Sequence, residues 1–77
     1  MPRIVPLSSE KLRKVFERKG FKCARIEGDH YIYTKHGVIR PVVIPQRKEV
    51  PVFIIKNNLR TGCISREEYF SILEKLL

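Results

Sequence analysis

An α+β domain in the order α-β-β-β-α-α, a three-stranded antiparallel sheet with its helices on one face, is what this 77-residue sequence predicts. Three observations carry that expectation. Apolar residues repeat at helical spacing up to Phe16, then from Phe21 the pattern becomes short β-rich runs, and helical spacing returns twice after Pro51. The β-rich runs are split only by "GD" and "HG", turn signals too short for crossover connections, so the strands form a meander.

Each element has a local reason. Ser8 is a good N-cap, with Leu7 before it and Leu12 at the fourth helical position spaced as a hydrophobic staple. Leu12, Val15 and Phe16 give the first helix its apolar side, and Gly20 stops it, so it runs from about residue 9 to 19. Three strands follow in "FKCARIE", "HYIYTK" and "VIRPVVI". Pro41 cannot donate to a ladder, which puts the third run at a sheet edge or calls for a bulge there. Pro51 suits the first position of a helix that buries Val52, Ile55 and Leu59 and ends at Gly62. Ser65 and Glu68 form a capping box for a last helix, with Ile64 and Tyr69 as its staple and Tyr69, Ile72, Leu73 and Leu76 turned inward. No linker, repeat or low-complexity tract interrupts the chain, which is expected to be one domain over residues 1–77.

The formal charge is +8, and residues 1–48 hold all of the excess, with 12 Lys and Arg against 4 acids. Such a surface attracts polyanions, and nucleic acid is the partner whose phosphates reward every cation within reach. A solvated surface serving solubility explains the charge equally well. The N-terminus has no apolar run of signal-peptide length, and Val52 to Ile55, the longest apolar stretch, cannot span a bilayer. The expected location is the cytoplasm, with no membrane partner. There Cys23 and Cys63 would be free thiols, expected to be buried, and their spacing with His30 and His36 matches no zinc pattern. No metal and no cofactor is expected.

Alternation along the second strand puts Tyr31 and Tyr33 on one face and His30, Ile32 and Thr34 on the other. Large aromatics fill cores, so the tyrosine face should meet the helices and leave His30 outward, just after the turn of Gly28 and Asp29. An imidazole there, on a basic domain, is well placed to meet a phosphodiester, and the chemistry such a site could run is metal-free RNA cleavage. The ribose 2′-hydroxyl is the nucleophile, and the protein supplies a base, an acid and cations for the pentacovalent phosphate. Arg25, Lys35 and Arg40 on the strands around His30 are the candidate cations, joined by Arg47 and Lys48 further along. A polar residue at a strand start with no chemistry is the bland alternative, and "HG" at His36 is ordinary turn sequence.

The run "LRKVFERKGFKCARIEGDHYIY", together with the later "VVIPQRKEVPVFIIKNNLRTGCISREEY", resembles the HicA (YcfA-like) toxins of bacterial and archaeal toxin-antitoxin pairs. The resemblance spans about Leu7 to Tyr69. It implies a fold like a double-stranded-RNA-binding domain, and an mRNA interferase held inactive by a HicB antitoxin. It also implies that His30 is the catalytic histidine and Gly28 the glycine of its turn. Two positions depart from the family's Gly-Ser-His-His, since Asp29 stands for serine and Tyr31 for the second histidine, which leaves no adjacent imidazole pair to act as acid and base. Asp29 reads as a turn former, or as a carboxylate that weakens His30 as a base and repels phosphate. The competing readings are a non-catalytic RNA-binding module of the double-stranded-RNA-binding class and a protein-docking domain. The apolar start "VPVFIIK" of the second-last helix lacks the lysines with which duplex-binding modules grip phosphates.

Overall fold

A computed structural model describes residues 3–76. The architecture is α+β in the predicted order: α1 Ser9–Arg18, β1 Lys22–Glu27, β2 His30–Thr34, β3 Val42–Pro45, α2 Val52–Thr61 and α3 Arg66–Leu76. The strands form one antiparallel sheet in the order β1-β2-β3.

Helix α1 begins as its sequence dictates. Ser8 is extended and its hydroxyl accepts from the Lys11 N–H at 3.3 Å. It ends when Gly20 takes φ +92°, so that Phe21 N–H reaches Phe16 C=O and Gly20 N–H reaches Glu17 C=O, the paired bonds of a Schellman motif. Leu12, Val15 and Phe16 are fully buried against Phe21, Tyr33, Val42, Ile44, Val50, Ile55, Leu59, Ile64 and Tyr69, which together make the core.

The tyrosine face of β2 meets α1, but the expected split into a buried and an open face fails at Ile32, which shares His30's face and is buried as well. Tyr33 is fully buried, its hydroxyl donating to Glu17 Oε2 at 2.7 Å and accepting from Arg13 Nε at 3.0 Å. The Arg13 guanidinium lies 4.0 Å from the centre of the Tyr31 ring. Strand β3 has α2 along its outer side, where Asn58 donates its side-chain N–H to Val43 C=O at 3.0 Å. Strand β1 has no such cover, and all six of its residues are exposed.

Several expectations need correction. The third strand begins at Val42, after Pro41, and not at Val38. Residues 35–41 form a longer connection in which Gly37 takes φ +89° and Ile39 is exposed. The missing N–H of Pro41 therefore sets the start of the strand, and the bulge lies at Ala24 in β1, where the register slips between Cys23 and Arg25. Both cysteines are free, as expected, but exposed. Cys23 lies on the uncovered strand, and Cys63 projects from the residue just past the α2 cap at φ +57°. In α2, Pro51 is the N-cap and not the first helical residue, Val52 is half-buried, and Asn58 joins Ile55 and Leu59 on the inner side. The Ser65–Glu68 capping box forms in both directions, at 3.0 and 3.1 Å. Beyond it Tyr69 is buried, whereas Ile72, Leu73 and Leu76 only lean on the core.

Candidate active site

Gly28 takes φ +60° with open space around it, so the hairpin needs glycine there for its backbone and not for room. The two-residue turn of Gly28 and Asp29 sets Glu27 directly opposite His30, and β3 sets Pro45 on His30's other side. The His30 side chain is half-exposed, with Nδ1 3.0 Å from Asp29 Oδ1. Along β1 on the same face, Arg25 stands opposite Ile32 and is ion-paired through Nε with Glu27. The cation nearest along the sheet is thus occupied by the acid facing His30.

Backbone bonds bring a second segment to this end of the sheet. Asp29 C=O accepts from Gln46 N–H at 2.7 Å, tying the exit of β3 to the histidine turn. One residue later Arg47 is clasped to the start of α1: its C=O accepts from Ser9 N–H at 3.2 Å and its N–H donates to Ser9 Oγ at 3.4 Å. The Arg47 and Lys48 side chains are exposed. This end of the sheet therefore carries Gly28, Asp29 and His30, with Arg25 along β1, while Arg47 and Lys48 follow Gln46 beside Ser8, Ser9 and Glu10 at the start of α1.

Two of the candidate cations lie elsewhere. Lys35 follows the far end of β2, about 17 Å from His30 at the rise of a strand, and its ammonium lies 5.6 Å from the centre of the Phe21 ring. Its stem rests against Gly20, where an added Cβ would touch Lys35 Cε at 3.4 Å. Arg40 is exposed in the connection ahead of β3, also at that far end, as is His36.

Sequence reasoning missed Glu27, Gln46 and Ser9. Glu27 had a signal, because a two-residue turn pairs the residues that flank it. Gln46 and Ser9 act through backbone bonds between segments distant in sequence, which no local pattern announces. Among the described residues no three His, Cys, Asp or Glu side chains are grouped so as to hold a metal ion, and no helix is long and apolar enough to cross a membrane.

Such a site offers one accessible imidazole, oriented by a carboxylate, with two exposed cations on a pinned loop. That set suits proton transfer at a bound phosphodiester. In comparisons with known proteins, the family model described as HicA toxin of bacterial toxin-antitoxin matches residues 9–62, from the start of α1 through α2 and across the whole site. A search of curated proteins returned no match.

Proposed function

Since the chain belongs to the HicA toxin family, the toxin side of toxin-antitoxin pairs, we propose that it is a metal-independent endoribonuclease that cleaves mRNA in the cytoplasm through His30. A HicB-like antitoxin holds it inactive. The observation that carries this reading is the half-exposed His30 imidazole, its Nδ1 against Asp29 and its turn tied to the loop of Arg47 and Lys48.

With Nδ1 at Asp29, Nε2 is the nitrogen open to substrate. In the reaction we propose, the RNA 2′-oxygen attacks the adjacent phosphorus as its proton is taken, and the bond to the 5′-oxygen breaks as that oxygen gains a proton. His30 Nε2 serves in this proton transfer, and Arg47 and Lys48 balance the charge gathering on the phosphate oxygens. Arg25 joins them if substrate draws it from Glu27. Lys35 and Arg40 would touch RNA only as it runs on past the far end of the sheet. An antitoxin that silences this chemistry must cover His30, and an acidic surface would match Arg25, Arg47 and Lys48.

The test is to incubate purified wild type and His30→Ala with mixed single-stranded RNA in EDTA, with circular dichroism to check both folds. Cleavage by wild type alone supports the proposal. If neither protein cuts while both retain RNA in a gel shift, the non-catalytic binding module replaces it. If antitoxin-bound and free protein cleave equally, the inhibition we propose is wrong.

A further inference from the structure

Helix α2 turns Ile55, Asn58 and Leu59 inward and leaves Phe53, Lys56, Asn57 and Arg60 exposed. These four stand at i, i+3, i+4 and i+7, one continuous stripe along the outer side. Phe53 is 66% exposed, and of the seven aromatic residues it is the only one that is not buried or half-buried. The sequence of α2, "VFIIKNNLRT", contains no acid. A phenyl ring in water beside a lysine and an arginine, with an amide between them, has the composition of surfaces that bind single-stranded nucleic acid. The ring stacks on a base and the cations meet the flanking phosphates.

Its placement suits the same substrate as His30. The loop between β3 and α2 is held at Val50, whose N–H and C=O both bond Leu7, just ahead of α1. At its other end α2 reaches the end of α1, because a Cβ on Gly62 would lie 2.9 Å from Phe16 and 3.1 Å from Phe21. Helix α2 therefore runs from the His30 end of the sheet toward the far end, with Asn58 level with Val43. Phe53 is five residues back along the helix from Asn58, about 7.5 Å. Pro45, opposite His30, is two residues from Val43 in the same direction, about 7 Å. The ring and the imidazole are thus at the same end of the molecule, with β3 between α2 and the strand that carries His30.

We propose that Phe53, with Lys56 and Arg60, is a base-stacking platform for an unpaired stretch of the RNA that His30 acts on, an inference that rests on the ribonuclease reading above. The platform selects single strands, because a base inside a duplex has no free face to offer. The first turn of α2, where a duplex reader carries lysines, holds Val52, Phe53 and Ile54 instead.

The chain has no tryptophan, so Phe53→Trp places its only indole on the platform. In the His30→Ala background, to prevent cleavage, this protein is titrated with a short single-stranded RNA and with the same sequence as a duplex. Saturable quenching by the single strand and not by the duplex is the expected result. Phe53→Ala should weaken single-strand binding about ten- to hundredfold and, with His30 intact, raise KM while kcat holds. Single-stranded RNA that shifts in a gel without changing the indole emission, or that binds Phe53→Ala as tightly as wild type, overturns the proposal. So does emission that responds only to a purified antitoxin, which would give this face to a protein partner. Quenching without cleavage by the wild type would sink the catalytic reading and leave the platform standing. Cleavage without quenching would do the reverse.

Discussion

Gly62 and Cys63 form an inverted helix end whose energetics can be predicted. The left-handed residue after α2 is Cys63, at φ +57°, while Gly62 at φ −84° sits in backbone that any residue adopts. Cys63 N–H bonds Arg60 C=O and Ile64 N–H bonds Leu59 C=O, the same paired closure that Gly20 gives α1. Gly62 is needed for space instead: a Cβ would stand 2.9 Å from Phe16 Cε1, 3.1 Å from Phe21 Cζ and 3.3 Å from Asn58 C=O. The two rings are buried and locked edge to face at 5.2 Å, so neither retreats without opening the core. Gly62→Ala should therefore cost about 1–3 kcal/mol for overpacking, offset by up to about 1 kcal/mol of lost unfolded-chain entropy. Cys63→Gly relieves a left-handed residue and should gain up to about 1 kcal/mol. In a domain this small each kcal/mol moves Tm by roughly 4–8 °C. Urea titrations under reducing conditions, with m unchanged, measure both variants. If Gly62→Ala equals or exceeds wild type while Cys63→Gly is destabilised, the assignment of strain to Cys63 and of crowding to Gly62 is wrong.

Two further outcomes follow from the Glu68–Lys19 ion pair and the Asp29–His30 contact. The Glu68 carboxyl is lowered to about 2, first by the Lys19 ammonium and then by the Ser65 N–H. A lowered folded-state pKa adds stability that is complete above the ordinary glutamate range near 4.5 and is lost as pH falls through about 2. Glu68→Gln should thus be less stable than wild type at pH 6, with the gap closing between those values. A gap constant from pH 6 to pH 2 in urea titrations would refute this. Asp29→Ser should leave RNA cleavage unchanged or raise it, because so exposed a carboxylate orients His30 weakly yet repels phosphate, and serine can still accept from Nδ1. A large loss of activity in the folded variant would show that Asp29 does more.

Where the sequence was legible, the signals were local ones. The Ser8 cap, the Gly20 stop and the Ser65–Glu68 box each need only residues within one turn, and the structure contains all three. The two-residue turn and the alternation in β2 correctly sent Tyr33 inward and His30 outward, but the same alternation put Ile32 outward, and it is buried. What escaped depends on neighbours far along the chain. Nothing near Lys35 says that its ammonium will lie by Phe21, and nothing near Gly62 says that two rings will crowd it. Cys23 was expected inside because free cysteines usually are, but burial of a strand residue is decided by which strand the helices cover. The placing of Arg47 at the start of α1, one residue after the partner of the histidine turn, likewise hangs on Gln46 and Ser9 bonding across the fold.

The uneven treatment of the two sheet edges bears on how this chain behaves at high concentration. β3 has Asn58 of α2 against its outer side, whereas the exposed β1 offers its outer backbone groups as a template for another strand. Along that edge Lys22, Arg25 and Glu27 place charges on the sheet face, and the bulge at Ala24 breaks the even ladder that stacking requires. Straightening the bulge while replacing those charges would leave a flat, apolar margin around Ile26, the kind of surface from which edge-to-edge aggregation starts. The irregular strand is therefore a solubility device, guarding the side of the sheet that no helix covers.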